Sequence, residues 1–330
     1  MKKIKISQQE ARKITELYHL GNFQRLGVVK GGAVNYNFKL KTDSGDYIVR
    51  VIGRKGENIG RRLELEFRVL EYLKQRKFSY DVPYPLKNDY GEYISRLDGK
   101  RLWIYKRLDG ENPKKMNDSK IHELARATAE YHRIMKGFPI KMKTIEASQL
   151  PENEKSDVNI LKRRYAQMRN IKPKNKVDKL MLTNIKLFEN ELERVKDLSF
   201  SENFLLTHQD IHRTNILFKG NKLTGILDFE GITFAPRIND LTYITKSLFF
   251  KKDRILDKRL FNLFLREYEK INPLSKSEKE AILPYLTRYN CNMFEYFYTH
   301  CFEGKVPDVG CLKWTINTAK GLADELGVET

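Results

Sequence analysis

The sequence predicts an α+β fold with two lobes, a small N-terminal lobe built on an antiparallel sheet and a larger, mainly helical C-terminal lobe. Between residues 26 and 52, short apolar runs alternate with turns that contain glycine and aspartate, a pattern typical of an antiparallel meander. Further along the chain, most apolar residues recur at helical spacing. Asp109, Gly110 and Pro113 separate the two patterns, so the predicted lobes are residues 1–107 and 108–330.

The composition fits a globular protein and limits the kind of partner. Hydrophobic residues make up 40% and charged residues 32% of the chain, which excludes disordered, collagen-like and disulfide-scaffold proteins. The net charge of +19 favours an anionic partner such as a nucleic acid, an anionic lipid or a phosphorylated small molecule. The charge alone does not choose among these three.

The cysteines Cys291, Cys301 and Cys311 are evenly spaced and form no C-x-x-C pair. This pattern argues against a disulfide framework and against a zinc site, so we expect reduced thiols and a cytoplasmic location. No stretch approaches about 18 apolar residues, the length that would suggest a membrane span, and no apolar run follows the basic N-terminus. Neither export nor membrane insertion is therefore expected.

The N-terminal lobe is predicted to open with a short helix, because Ser7 and Glu10 have the spacing of a capping box. A second helix is predicted over residues 61–75, with Glu66 inside its apolar stripe. A buried carboxylate needs a cationic partner, and Arg50 on the preceding strand is the nearest candidate. The strands of this lobe are predicted over residues 26–29, 37–40, 47–51, 93–94 and 102–105.

The C-terminal lobe is predicted to contain several long helices. The first begins at Asp118, which is expected to cap it, and ends near Gly137. Others are predicted over residues 178–197, 254–270 and 278–301. Residues 141–179 are basic and weakly apolar, and a mobile insertion is expected somewhere within them.

Three side chains with oxygen ligands are predicted to lie near one end of a β-hairpin. Asp210 and Asn215 precede an apolar strand, and Asp228 follows the next one. Carboxylate and carboxamide oxygens without nearby thiolates suit Mg²⁺, which often shares its coordination with substrate phosphates. A carboxylate set slightly apart from the metal could accept a proton from an attacking hydroxyl. Phosphoryl transfer requires positioning, charge neutralisation and a base, and these side chains could contribute to all three.

Two motifs in this region resemble those of a known superfamily. They are His208-x-Asp210-x-His212-x-x-Asn215 and, further along, Ile226-Leu227-Asp228-Phe229-Glu230. Both are similar to signatures of the aminoglycoside phosphotransferase, choline kinase and type II homoserine kinase superfamily. The resemblance implies a protein-kinase-like fold, ATP and Mg²⁺ as cofactors, and a small-molecule hydroxyl as phosphoryl acceptor.

The resemblance also implies roles for residues of the second lobe. It makes Asp210 the catalytic carboxylate and makes Asn215 and Asp228 the metal ligands. Asp240 matches an aspartate that supports the catalytic loop.

In the first lobe, the resemblance implies that one set of residues contributes to nucleotide binding. These residues are Gly31, Gly32, Arg50, Glu66, Lys106 and Leu108. The two glycines match the loop over the phosphates, Arg50 and Glu66 match an ion pair, and the backbones of the last two residues match the contacts with adenine. The sequence departs from the pattern in having Arg50 rather than lysine, and its glycine turn is not G-x-G-x-x-G. Both departures leave the phosphate contacts open.

Several of these residues also have purely structural interpretations. His208 is expected to be a hydrogen-bonded structural residue rather than a catalyst, and a zinc pair with His212 would require a helix where a strand is predicted. Asp228 could form an Asx turn, although its coincidence with Asp210 and Asn215 favours a site. Arg50 and Glu66 could form an ion pair that only stabilises the fold.

Two other classes of protein remain as alternatives to a small-molecule kinase. One is a catalytically inactive kinase fold with a structural role, like the spore-coat relatives of the superfamily; the intact Asp210, Asn215 and Asp228 argue against it. The other is a basic nucleic-acid-binding protein, but the basic residues are interspersed with acidic ones and no RNA- or DNA-binding motif is present.

Only one loose similarity in the sequence bears on the identity of the phosphoryl acceptor. Residues 275–298 resemble the C-terminal region of type II homoserine kinases, which suggests an amino-alcohol or amino-acid hydroxyl, with a sugar also possible. The tyrosines in this region could build a pocket for a cation or simply belong to the core.

Overall fold

The structure, a computed structural model, describes residues 4–29, 35–53, 59–140, 154–198, 202–251, 255–302 and 309–326. Its contacts divide the chain into two compact units. The first unit contains the described residues up to Asn112, Ile140 and the segment Ile216–Glu230. The second contains the described residues of 113–139, 147–215 and 231–330. The predicted division into lobes after residue 107 stays a prediction.

The helices and strands follow in chain order. The helices are α1 (Gln8–Leu17), α2 (Ile59–Gln75), α3 (Asp118–Met135), α4 (Glu154–Arg169), α5 (Lys176–Arg194), α6 (Ile238–Ile244), α7 (Lys258–Glu269), α8 (Lys276–Phe302) and α9 (Val309–Glu325). The strands are β1 (Phe23–Val28), β2 (Tyr36–Thr42), β3 (Asp46–Val51), β4 (Ser95–Leu97), β5 (Lys100–Lys106), β6 (Phe204–Thr207), β7 (Ile216–Lys219), β8 (Lys222–Ile226) and β9 (Thr233–Pro236). A π-helical turn, Thr245–Phe249, follows α6.

The first unit is built on a five-stranded antiparallel sheet in the order β1-β2-β3-β5-β4. The predicted capping box is confirmed, because the Ser7 and Glu10 side chains each bond the backbone of the other residue. Apolar residues of α1 and of the central strands form its core. The hairpin of β7 and β8 joins this unit through a parallel bridge between Asp81 and Gly225.

The predicted strand at residues 93–94 is wrong, because β4 begins at Ser95 and those two residues precede it. The predicted cap of α3 is also shifted, since the N-cap is Asn117, whose side chain accepts a hydrogen bond from Lys120 N. The helices predicted over residues 178–197, 254–270 and 278–301 correspond to α5, α7 and α8, with shifted ends.

The second unit contains a helix that the sequence did not predict, α4, within the segment 141–179. Its buried residues Val158, Leu161, Tyr165 and Met168 alternate three and four residues apart, as an amphipathic helix requires. Many basic residues surround this narrow stripe and hide it in the composition of the segment. Residues 141–153 lie outside the described residues.

The core of the second unit joins α4, α5, α8 and α9. Phe188 and Phe294 stack with their ring centroids 3.8 Å apart at its centre. Cys291 is buried in this core, and both it and Cys311 are free thiols. In the part of the chain that the structure describes, no helix has the length and apolar character needed to cross a membrane.

Candidate active site

Asp210 lies in the loop between β6 and β7, where other side chains hold its carboxylate. Tyr243 donates a hydrogen bond of 2.7 Å to Oδ1, and Asn215 Nδ2 donates one of 2.8 Å to Oδ2. His212 Nε2 lies 3.3 Å from Oδ1. The Asp210 side chain remains 32% exposed, so one face of a positioned carboxylate is open to solvent.

These contacts also set the protonation state of Asp210. Burial acts to raise its pKa, but the hydrogen bonds from His212 and Tyr243 outweigh that effect and hold the pKa below its ordinary value. The carboxylate is therefore ionised at neutral pH and can accept a hydrogen bond or a proton.

Asp240 supports the backbone of this loop, as the resemblance implied. Its carboxylate is fully buried and accepts hydrogen bonds from His208 N at 2.9 Å and Gln209 N at 2.7 Å. Gln209 has a φ of +68°, a left-handed conformation that these contacts stabilise in a residue other than glycine. The loop is thus fixed immediately before Asp210.

Sequence reasoning missed a histidine that supports Asp240 in turn. His132 on α3 is fully buried, with Nε2 2.9 Å from Asp240 Oδ2 and Nδ1 2.8 Å from the Tyr268 hydroxyl. Burial acts to raise the pKa of Asp240. The hydrogen bond from His132 acts in the opposite direction, and the net result is a lowered pKa. The only signal in the sequence was a histidine on the apolar side of a helix, which is more often structural than functional.

His208 has the structural role that was expected for it. It is 1% exposed, and its Nδ1 accepts a hydrogen bond of 3.2 Å from Asp210 N. The ring therefore helps to fix the backbone of Asp210.

Asn215 is oriented so that its amide oxygen is the atom available for a ligand. Its Nδ2 group donates to both the backbone oxygen and Oδ2 of Asp210, at 2.9 Å and 2.8 Å. Because both partners are acceptors, the nitrogen must face them. Within the described part of the chain, Oδ1 accepts no hydrogen bond, so Asn215 fits the role of a ligand to a hard cation.

In the first unit, Arg50 is the centre of a cluster of carboxylates. Arg50 is 7% exposed and its Nη2 donates 2.8 Å hydrogen bonds to Asp228 Oδ1 and Glu230 Oε2. The predicted partner, Glu66, is 3% exposed and lies 3.9 Å from Nη1. Burial disfavours the guanidinium charge, but the carboxylates of Glu66 and Asp228 outweigh it and raise the Arg50 pKa. The pairing with Asp228 and Glu230 was not predicted.

Glu230 is a further residue that sequence reasoning left without a role. Besides Arg50, it accepts a hydrogen bond of 2.5 Å from Asn35 Nδ2, and Asn35 Oδ1 accepts one of 3.1 Å from Gly53 N. Glu230 thereby links Arg50 to Asn35. Its position at the end of the second motif was the available signal.

Asp228 follows β8 in a left-handed conformation, with a φ of +65°. Its side chain is 39% exposed. Aspartate tolerates this region better than most residues, but it is uncommon and tends to occur at functional sites. The conformation presents the Asp228 carboxylate to Arg50 while leaving part of it accessible.

The predicted adenine contacts lie where β5 ends. Lys106 pairs with Tyr47 of β3 at the last position of the ladder. Leu108 follows outside the strand, and its backbone forms no hydrogen bond within the described residues. Gly31 and Gly32, predicted to lie over the phosphates, are outside the described residues.

The donors present suit a hard cation better than zinc. Among the residues that the structure describes, no group of three or more His, Cys, Asp and Glu side chains could hold a metal ion. Asn215 in the second unit and Asp228 in the first were each predicted as metal ligands, and each side chain offers oxygen, the donor that Mg²⁺ prefers.

Comparison with known proteins identifies the family. A model of the phosphotransferase enzyme family matches residues 26–274. The chain is 23% identical to a homoserine kinase of Agrobacterium fabrum over 93% of this chain and 89% of that protein. The structure resembles an amicoumacin kinase in complex with AMP-PNP and Ca²⁺, with a TM-score of 0.69, 16% identity and coverage of 97% and 94%. An aminoglycoside phosphotransferase from Alicyclobacillus acidocaldarius gives a TM-score of 0.71 at 13% identity, with 98% of each chain covered.

These matches define the class as a small-molecule phosphotransferase with an alcohol group as acceptor. The chain belongs to the phosphotransferase enzyme family. The predicted α+β, protein-kinase-like fold and the predicted enzyme class are confirmed.

Proposed function

We propose that this protein is an ATP-dependent kinase that transfers the γ-phosphoryl group to a hydroxyl of a small molecule, with Asp210 as the proton acceptor. The observation that carries the proposal is the ionised Asp210 carboxylate, held by Tyr243 and Asn215 on a loop that Asp240 fixes. Rigid placement of this kind is the main contribution that a protein makes to phosphoryl transfer.

Asp210 orients the acceptor hydroxyl and takes up its proton. In a loose transition state, the nucleophile loses its proton late, so an acceptor with a low pKa is adequate if it is well placed. Tyr243 and Asn215 donate hydrogen bonds to the Asp210 carboxylate before the reaction. These hydrogen bonds would become weaker as the carboxylate takes up a proton and loses its charge. The open face of Asp210 is the side from which the hydroxyl would approach.

Asn215 and Asp228 are the proposed ligands of Mg²⁺, which supplies charge neutralisation for the phosphates when bound. Arg50 would contact the phosphates together with Gly31 and Gly32. Its hydrogen bonds to Asp228 and Glu230 fix the guanidinium in position.

ATP is the proposed donor, with backbone groups of Lys106 and Leu108 as contacts for adenine. The unpaired backbone of Leu108 in the described structure supports this assignment. The relative in complex with AMP-PNP is consistent with an adenine nucleotide.

The acceptor is proposed to be an amino alcohol or a hydroxy amino acid. The support is the similarity over nearly the whole chain to the homoserine kinase of Agrobacterium fabrum. A sugar is the second choice, because the structure also resembles an aminoglycoside phosphotransferase.

An ADP-release screen tests the proposal directly. Wild-type protein with ATP and Mg²⁺ is assayed against homoserine, choline, aminoglycosides, simple sugars and nucleosides, with Asp210→Asn as the paired control. We expect at least one acceptor to stimulate ADP release in the wild type and not in the variant. If no acceptor stimulates ADP release in the wild type, the proposed kinase activity fails. If an acceptor stimulates ADP release equally in the wild type and in Asp210→Asn, Asp210 is not the proton acceptor.

A further inference from the structure

Lys246 is a buried cation in the second unit that the proposed mechanism does not use. It lies in the π-helical turn after α6 and is 2% exposed. Its Nζ lies 4.4 Å from the ring centroid of Tyr289 on α8 and 4.7 Å from that of Trp314 on α9. Three elements therefore converge on one ammonium group.

The charge of Lys246 is poorly compensated. Within the described part of the chain, its ammonium forms neither a hydrogen bond nor an ion pair. Two aromatic faces attract a cation, but less strongly than full hydration or a carboxylate does. Burial accordingly lowers the pKa of Lys246 to about 7, with a smaller opposing effect from Cys311.

A continuous line of contacts connects Lys246 to the proposed proton acceptor. The ring of Tyr289 packs edge to face against Tyr243, with centroids 6.0 Å apart. The Tyr243 hydroxyl in turn donates to Asp210. Lys246 is thus connected to the Asp210 carboxylate through two aromatic side chains.

The tyrosines of this region were considered as a pocket for a cationic ligand, and the structure gives them a cation from the same chain. Lys246 already lies over the face of Tyr289. The ligand that would compensate its charge is therefore an anion. A single ammonium on a flexible stem is a point charge without the fixed fork of arginine, and it matches one carboxylate.

We propose that Lys246 binds a carboxylate on the acceptor and so determines that the substrate is a hydroxy acid or hydroxy amino acid rather than a neutral alcohol. This inference rests on the proposed kinase activity and names the substrate class of that site. The π-helical turn supports it, since such turns are rare and are frequent at functional sites.

Other polar groups on the same two helices lack partners. The side-chain amide of Asn290 on α8 and the hydroxyl of Thr315 on α9 are buried and form no hydrogen bond with the described residues. Buried polar atoms of this kind commonly mark a place where water or a ligand binds.

Matched pairs of acceptors test the proposal. L-homoserine and 3-aminopropan-1-ol differ only by the carboxylate, as do L-serine and ethanolamine. We expect wild-type kcat/KM to be about 10- to 100-fold higher for the carboxylate member of a pair, the range expected for a hydrogen bond between charged groups. Lys246→Met should remove that preference by raising the KM of the carboxylate member, while kcat and the turnover of the neutral member stay the same.

Two further variants and a stability measurement separate binding from packing. Lys246→Arg retains the charge and should retain the preference, and the exposed Lys251→Met, on the same segment, should change neither. Because methionine fills a similar volume without a buried charge, Lys246→Met should melt at the wild-type temperature or above. A melting temperature lowered by several degrees would instead assign Lys246 a structural role.

The outcomes distinguish this inference from the proposed function. The inference fails, and the kinase proposal stands, if the wild type has equal kcat/KM values for the neutral and carboxylate members of a pair. The same holds if Lys246→Met keeps the preference for the carboxylate member. If no acceptor of either kind stimulates ADP release, the proposed function fails and the inference fails with it.

Discussion

Asp210 has a low pKa for a group that must accept a proton. The donors that lower it, Tyr243 and His212, also fix its direction. Proton uptake is late in a loose transition state, so direction matters more than basicity. The main effect of Tyr243 and His212 is therefore to fix the position of the Asp210 carboxylate.

Replacing Asp210 should separate turnover from nucleotide binding. Asp210→Asn should lower kcat by about 10²-fold or more, as expected for loss of a general base, because the amide cannot take up the proton. Calorimetric ATP affinity should stay near the wild-type value, since no adenine or phosphate contact is assigned to this residue. Asp197→Asn, at an exposed position, is the matched control. An equal loss of ATP affinity and turnover would show that the role of Asp210 is misassigned.

Arg50 is more strongly tied to its neighbours than the predicted single ion pair implies. Arg50→Leu should lower the free energy of unfolding by about 3 to 5 kcal/mol, because it removes the buried cation that Asp228, Glu230 and Glu66 share. Glu66→Gln should cost only about 1 to 2 kcal/mol, since the hydrogen bonds to Asp228 and Glu230 remain.

Urea denaturation of both variants measures this difference. Lys39→Leu, which removes an exposed pair with Asp46 in the same sheet, should cost about 1 kcal/mol or less. If Glu66→Gln destabilises as much as Arg50→Leu, then Glu66 is the dominant partner and the simpler prediction from sequence was right.

Among the elements, β8 is placed where it can influence the end of β5. A Cβ atom added at Gly225 would lie 3.1 Å from the backbone oxygen of Asp81 and 3.1 Å from Leu108 Cδ1. The first atom is fixed by the bridge between Asp81 and Gly225, so Leu108 must give way.

Gly225→Ala should therefore raise the KM for ATP by several-fold while leaving kcat near its wild-type value. The physical reason is that Leu108 must shift by a few tenths of an ångström to accommodate the added methyl group, and its backbone is a proposed contact for adenine. Gly60→Ala is a suitable control, because no atom lies within 4 Å of its added Cβ and alanine favours a helix. Unchanged KM values in steady-state kinetics would remove the support for Leu108 as an adenine contact.

Some of the helices and strands could be predicted from the sequence, and others could not. Strands β2 and β3 and helix α2 were predicted because each carries a clear period of apolar residues, and Glu66 was correctly expected to be buried. Helix α4 was missed because its narrow stripe lies among basic residues. The short strand β9 was missed because it pairs only with the distant β6, and such pairing leaves little local signal.

The site divides in the same way. The two motifs indicated Asp210, Asn215 and Asp228 because their residue types and spacing are unusual together. His132 and Lys246 contact residues far along the chain, Asp240 and Trp314 respectively. Nothing near either residue in the sequence distinguishes it from an ordinary helical position.

For the molecule as a whole, the net charge of +19 acquires a simple interpretation within the phosphotransferase enzyme family. A positive surface favours the approach of nucleotides and other anions at low ionic strength. It does not require a nucleic acid, and many basic side chains pair with acidic ones, such as Lys162 with Glu193 and Arg259 with Asp118.

Metal binding and nucleotide binding should be coupled in the whole protein. The proposed ligands, Asn215 and Asp228, would provide too few oxygens for a closed site, and Arg50 already contacts one oxygen of Asp228. Mg²⁺ should therefore bind the free protein weakly and bind tightly only when nucleotide phosphates complete its octahedron. Calorimetry should detect little heat from Mg²⁺ alone and a marked increase of ATP affinity when Mg²⁺ is present.

Asp228→Ala should abolish this Mg²⁺ dependence together with turnover, because the ion neutralises charge on the transferred group. Asn215→Asp retains an oxygen ligand and should preserve part of both, whereas Asp197→Ala should preserve both completely. Circular dichroism and the melting temperature establish that each variant is folded. Full activity in the presence of EDTA, or in Asp228→Ala, would contradict the assignment of these ligands, since neither condition leaves the ion at the position where phosphoryl transfer requires it.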